Sequence, residues 1–441
     1  MAIASPWTYF VLLAIVMAVV CLPPFRLVEP VALGRARFVG LDGLRGFAAI
    51  SVFAFHVVVV HGFVATGEWQ PPSSGFYALL GPVSVSLFFM TTGFLFWTKV
   101  LSSAGGIGWR ALYVGRLFRI APMYLVAVLA MLLIVFAKTG FALHEPLGEV
   151  AGAVAQWLAL GFVNLQPDVN GYSATHVLAG VTWTISYEWA FYASLFVTAV
   201  VARSRAHLPL VAAALVLCLI GKSVLDSSVL GFAALFLSGM TVGSLLHGNK
   251  PAPANWLGSA LALACLLLIF FPSLFGANRS GYGTVATLAL AVFFYCVCSG
   301  ATLFGLLATR AAQRLGSISY SVYLLQGIVL TLVLTPAPLR TFAMSAVGNY
   351  WLVGVLCACV LIAVAGLTFV FVEQPCIALG RLFTQRWLRS AATTAPAAAP
   401  FDAVPARRLP MPTAATGPQL HRRRRTPAQC VPPSASLQEE A

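Results

Sequence analysis

Asp42, Arg45 and His56 stand in one apolar stretch, Gly40 to Gly62 (GLDGLRGFAAISVFAFHVVVVHG), long enough for a membrane-spanning helix. Linked through Ala49 and Val52, they follow steps of three or four residues and so lie near one helical face. An ionisable side chain in hydrocarbon costs on the order of several kcal/mol, and this helix carries three where none is needed for insertion. An interhelical ion pair, with His56 as a hydrogen-bonded core histidine, accounts for any one of them. The three together favour a reaction site or a proton path. A neutral imidazole, with its ordinary pKa of about 6.5, accepts a proton near pH 7. Arg45 precedes His56 by eleven residues, about 16 Å at 1.5 Å per residue, so the two do not touch in a straight helix.

Other segments add candidates. Arg116 and Arg119 are i,i+3 neighbours at one end of an apolar run, where guanidinium forks suit phosphate recognition. Topology signalling explains the same pair equally well. Glu188 and Tyr192 share a face at i,i+4, while Trp183 and Tyr187 sit where an aromatic belt belongs. A belt does not explain Glu188, about 8 Å further into the membrane by helical rise. His56 and Glu188 therefore approach similar depth from opposite directions, and Glu188 is a candidate to orient His56 or bind an acceptor. His61 is turned off the face of His56 and is left out.

The elements that must position these groups are membrane helices. The chain of 441 residues is 60% hydrophobic and 9% charged, with a mean hydropathy of +0.91. A water-soluble domain does not tolerate that composition. Apolar runs of spanning length, roughly 20 residues, fall near 7–23, 44–64, 76–98, 117–137, 183–202, 208–224, 229–247, 255–275, 284–307, 318–336 and 348–372. Such a bundle keeps its polar groups between helices or beside a water-filled cavity.

Charge placement agrees with eleven spans. With the N-terminus outside, 21 basic residues fall on the inner side, counting the tail, against Lys138, Lys222, Arg279 and Arg340 outside, with Arg45 set aside. The positive-inside rule predicts that asymmetry. The net charge of +14 is then topology and no nucleic-acid footprint. The first apolar run lacks a preceding basic residue and a following A-x-A-like site, so it is expected to be retained as a helix. The nine cysteines are scattered without zinc spacing, so free thiols and no metal are expected. The connection from about 138 to 182 is long and acidic on balance. Its apolar middle, Val150 to Val163, suits an interfacial or re-entrant segment better than a further span.

Six segments, in order, resemble the integral-membrane acyltransferase 3 family. They are LDGLRGFAAI from Leu41 with its R-x10-H spacing, SLFFMTTGFL from Ser86, RLFRIAPMY from Arg116, TWTISYEWAFY from Thr182, LGSISYSVYLL from Leu315 and VEQP from Val372. The likeness covers about 38 to 375. Thr92 stands where the family usually has Ser and keeps the hydroxyl. Gln326 stands where a His is common, which argues against a second catalytic histidine there. The resemblance implies an all-α polytopic membrane protein: a ten-helix bundle at 38–375, plus one extra N-terminal transmembrane helix and a basic linker at 1–37. Residues 376–441 then form a basic cytoplasmic tail, expected to be disordered given its composition.

What the resemblance implies about function is O-acylation of surface carbohydrate from acyl-CoA, most simply acetyl-CoA, as co-substrate, with no bound cofactor. Acyl transfer from a thioester to a hydroxyl needs a base near the attacking oxygen and positive or hydrogen-bonding groups near the developing oxyanion. On that reading His56 is the base, assisted by Arg45 and Glu188. Arg116, Arg119 and Arg45 hold the acyl-CoA, and Asp42, Thr92, Trp183, Tyr187 and Tyr192 support the site. The expected partners are a glycan or lipid-linked sugar and the bilayer of a bacterial cytoplasmic (inner) membrane, with glycan-assembly machinery as a further candidate. The alternative is a transporter or proton-coupled exporter using the same Arg, His and Glu. The sequence shows neither the inverted repeat nor the broken-helix pairs common among transporters.

Overall fold

The structure, a computed structural model, describes residues 3–29, 38–247, 255–271 and 282–394. Arg35, Arg37, Lys250, Arg279, Arg407, Arg408 and Arg422 to Arg425, all used in the charge count, lie outside the described residues, as do the side chains of Arg386 and Arg389. The chain divides into two units, 1–390 and 391–441. Of the second, residues 391–394 are described, and they are helical.

Among the described residues there is no strand, only an isolated bridge between Val169 and Tyr172. The helices are α1 (Pro6–Cys21), α2 (Val39–Thr66), α3 (Gly75–Ser102), α4 (Trp109–Lys138), α5 (Leu147–Leu158), α6 (Ala174–Val177), α7 (Trp183–Ala202), α8 (His207–Leu225), α9 (Ser228–Leu246), α10 (Asn255–Phe270), α11 (Thr284–Cys298), α12 (Arg310–Leu334), α13 (Ala337–Ser345), α14 (Val347–Thr368) and α15 (Gln374–Thr394). Among the described residues eight helical stretches are long and apolar enough to cross a membrane: α2, α3, α4, α7, α8, α9, α12 and Val347–Gln385, which opens with α14. The shorter apolar helices α1, α10 and α11 occupy the three remaining runs of the sequence reading. The chain is an all-α, multi-pass membrane protein.

Two boundaries differ from the sequence reading. The run expected to span 284–307 stops at Cys298, because Ser299 and Gly300 end the helix and Gly300 adopts φ 111°. The tail expected to be disordered from 376 begins instead as α15, entered through a five-residue π turn, Phe369–Glu373. Gly380 allows α15 to lie against Phe118 of α4, and Phe383 stacks on the same ring with centroids 6.3 Å apart. The averaged composition of the tail hid this short apolar face.

The most extensive helix pairs are α2 with α12 and α3 with α9. Small residues permit the first. A Cβ on Gly316 would collide with the Asp42 carbonyl, and one on Gly46 would stand 2.7 Å from the Gly316 nitrogen. Between helices in lipid, such close approach replaces the hydrophobic drive that water supplies elsewhere. The glycines of the LDGLRG and LGSISY segments therefore lock α2 to α12 and fix the azimuth of Arg45 and His56.

The connection between α4 and α7 is ordered by hydrogen bonds. Buried Asn170 accepts from the His144 N–H at 2.8 Å and donates to Thr139 Oγ1 at 2.9 Å and the Ala142 carbonyl at 2.8 Å. Helix α5 buries Val150, Ala153 and Trp157, a stripe at helical spacing. Tyr124 donates to the Trp157 carbonyl at 2.9 Å, and Trp157 Nε1 donates to the Pro167 carbonyl at 2.9 Å. The extra helix α1 buries Leu12, Val16 and Val20. Arg314 of α12 donates to its Val20 carbonyl at 2.7 Å and pairs with Glu29 just beyond it at 2.5 Å.

Candidate functional site

A cavity of about 630 Å3 opens between α2, α3, α4, α7, α12 and α15. Its lining includes Arg45, Thr92, Arg116, Arg119, Glu188 and Tyr192, six of the ten residues singled out in the sequence. Lys99 and Arg381 join them, so five cations face one carboxylate, the charge pattern of a site for a polyanion. The guanidinium of Arg116 lies 4.6 Å from the Phe96 ring centroid, a cation–π contact that limits its rotation. Tyr192 donates to Glu188 Oε2 at 2.9 Å and is itself held by Tyr113, which donates to the Tyr192 carbonyl at 2.9 Å. Arg116, Arg45 and Arg119 all act electrostatically on Glu188. Along the rest of the wall Val85, Phe88, Phe89, Leu95, Ile120 and Ile185 supply apolar surface.

Sequence reasoning passed over three contributors. Thr91 lines the cavity beside Thr92, and its buried Oγ1 has no hydrogen-bond partner among the described residues. Glu373 of the VEQP segment is buried and interacts electrostatically with Arg119 and Arg45. The Ser321 hydroxyl donates to Glu373 Oε1, and Thr368 donates to Ser321 Oγ at 3.1 Å, so the π turn is pinned at both ends. π turns of this kind recur at functional sites. The third, Arg381, belongs to the helical start of the tail, where no motif marked it.

His56 is not among the residues lining this cavity. It is buried past the midpoint of α2, with Nδ1 3.0 Å from the Val52 carbonyl and 3.3 Å from Gln326 Oε1. The ring also meets the Ala179 backbone, Phe55 edge-on at 4.9 Å, and Trp69 at 6.5 Å. Gln326 connects the two places, since its Nε2 donates to the carbonyl of Tyr323, a cavity-lining residue. Gly327 lets Leu178 and Ala179 press against α12, which is how the ordered connection reaches His56. Trp69 stacks on His176 of α6, centroids 4.8 Å apart. Burial lowers the pKa of His176 from its ordinary value, with Asp168 acting in the opposite direction.

Glu188 is placed with the arginines, and the structure does not bring it to His56. The reason lies in where α7 starts. Trp183 and Tyr187 pack on Phe89, midway along α3, and on Phe232 of α9. Helix α7 thus begins inside the bundle, and Glu188 falls nearer the arginine end than a count from a surface belt predicts. Trp183 and Tyr187 form an aromatic packing cluster and do not line the cavity. Asp42 stays outside it too, within electrostatic range of Arg45 and with its carbonyl against Gly316.

Residues 38–370, three-quarters of the chain, match the family model described as an acyltransferase domain. The chain belongs to the acyltransferase 3 family. It is 24% identical over 396 residues to a protein of Bacillus subtilis (strain 168) named "Putative peptidoglycan O-acetyltransferase YrhL", an alignment covering 79% of this chain and 56% of that protein. The chain thus spans little more than half the length of this curated relative. No solved structure matches the chain.

Proposed function

We propose that this protein is a membrane O-acyltransferase that moves an acyl group, most simply acetyl, from cytoplasmic acyl-CoA to a hydroxyl of a glycan or lipid-linked sugar. The observation that carries the reading is the cavity where Arg45, Arg116 and Arg119 converge with Lys99 and Arg381 around an apolar wall. CoA combines several phosphate charges with a slender uncharged arm, so it matches both halves of that lining. Guanidinium forks bind the phosphates and leave the thioester arm to run along Phe88, Phe89 and Ile185.

In the reaction, His56 Nε2 takes the proton of the acceptor hydroxyl as its oxygen adds to the thioester carbonyl. The tetrahedral intermediate collapses with cleavage of the C–S bond. The departing CoA sulfur recovers the proton from His56, so charge and atoms balance. Family membership favours this enzyme over the exporter alternative. The relative's name puts peptidoglycan first among the glycans to assay. Full-length purified protein given acetyl-CoA and peptidoglycan fragments should release free CoA thiol in step with acetylated glycan. No acceptor-dependent release would overturn the assignment.

The same reading places the protein in the bacterial cytoplasmic membrane with the arginine cavity facing the cytoplasm. A reporter fused after residue 390 should then be cytoplasmic, and one fused at the N-terminus should be exported. Both ends mapping to one side would refute eleven crossings.

A further inference from the structure

We propose that Gln326 is a positioning residue that fixes the proton of His56 on Nδ1 and leaves Nε2 as the basic nitrogen. The inference rests on the reading of His56 as the base. Gln326 lies 270 positions away in the chain and is 0% exposed. Its Nε2 donates to the Tyr323 carbonyl at 2.9 Å. A carbonyl oxygen can only accept, so the amide must turn its NH2 towards Tyr323. Oε1 is what remains to face His56 Nδ1, at 3.3 Å.

The Val52 carbonyl stands 3.0 Å from the same ring nitrogen. Two acceptors at one nitrogen favour the N–H there, and the Ala179 backbone is the ring's further polar contact. Neutral imidazole carries a single ring proton, so its lone pair is then on Nε2. A second histidine at position 326 would leave this choice open, because either ring can carry the shared proton. Glutamine closes it, since an amide held by Tyr323 presents only its oxygen. Phe55 and Trp69 pack on the ring without ionisable groups, and the titratable residue reached through them is His176, stacked on Trp69.

The test compares pH–rate profiles of acetyl transfer from acetyl-CoA by the purified full-length protein and its Gln326→Glu, Gln326→Leu and His56→Ala variants. A carboxylate against Nδ1–H favours the imidazolium, so the acid limb of Gln326→Glu should move to higher pH by about one unit. Leucine removes an acceptor, so its acid limb should move the opposite way. The kcat of Gln326→Leu should fall about tenfold, the worth of one hydrogen bond, with donor KM unchanged. Opposite movements are a signature that a loosened core does not produce.

Nitrogen-15 spectra of histidine-labelled protein, with His56→Ala as the blank, give a readout independent of activity. The wild type should show Nδ1-protonated His56, and Gln326→Leu a mixture of tautomers. Unmoved acid limbs, an unmoved spectrum in Gln326→Leu or a wild-type His56 protonated on Nε2, with His56→Ala inactive, would overturn the role of Gln326 alone. An active His56→Ala would overturn the base reading and this inference with it.

Discussion

The two halves of α2 solve different electrostatic problems. Around Arg45, five cations share a cavity with Glu188, and buried Glu373 interacts electrostatically with Arg45 and Arg119. Around His56, the hydrogen-bonding groups are the Val52 and Ala179 backbones and a glutamine amide, and the ring contacts are aromatic. A site that holds a polyanion gains from concentrated positive charge, which raises local ligand concentration and fixes phosphates. A general base gains from the reverse. A neighbouring carboxylate would hold imidazole protonated, and a neighbouring guanidinium would weaken its basicity. Placing ten residues of apolar helix between the two, eleven steps and about 16 Å of rise, lets one helix serve both needs.

The largest effect should come from the neutral half. His56→Ala should lower acyl transfer by about 10² to 10⁴, the usual worth of a positioned base, with acyl-CoA affinity near that of the wild type. Wild-type activity should fall on the acid side as His56 becomes protonated and can no longer accept the hydroxyl proton. His61→Ala should change little, because His61 packs edge-on against Tyr350, away from the ring of His56. A membrane-inserted His56→Ala protein that acylates at wild-type rate would make His56 a structural histidine and remove one side of the comparison.

The arginine end should respond in KM. Loss of one charge-assisted hydrogen bond costs about 1.5–3 kcal/mol, so Arg116→Ala or Arg119→Ala should raise the apparent KM for acetyl-CoA roughly 10- to 100-fold with kcat little changed. Lysine should restore part of the loss, since it keeps the charge and gives up the bidentate fork. Unchanged donor KM in both alanine variants would return these arginines to topology signalling.

The spans were legible in the sequence because hydrocarbon thickness fixes run length, and α2 was legible because three ionisable groups cannot hide in an apolar segment. Azimuth and register between helices were harder. Nothing local says that α7 starts inside the bundle, so Glu188 was expected near the depth of His56, to orient it or bind an acceptor. Trp183 on Phe89 reveals the true depth, and that contact spans almost a hundred residues. Gln326 meets His56 only because Gly46 and Gly316 let α2 and α12 approach closely. The cavity-lining Arg381 was lost in a tail whose overall composition predicts disorder, although Gly380 and Phe383 beside it carry the packing face of a helix.

The smallest functional effect should come from a cation in the same helix as Gln326 with a different target. Arg314 is nearly buried at the start of α12, but its guanidinium points at α1, donating to the Val20 carbonyl and pairing with Glu29. That pairing holds the Glu29 carboxyl below the usual carboxylate range, so its contribution is present at neutral pH and is lost as pH falls through the depressed value. Arg314→Ala leaves the Val20 carbonyl without this donor and should destabilise the packing of α1 by about 1.5–3 kcal/mol, read as a lower melting temperature in detergent. Donor KM should stay within about twofold of wild type, because Arg314 is not part of the cavity lining, and loss of a structural contact without transition-state contact does not alter the free energy of donor binding. If Arg314→Ala instead raised donor KM as far as Arg116→Ala does, positive charge anywhere at this end would suffice, and the convergence on one cavity would not be what selects the donor.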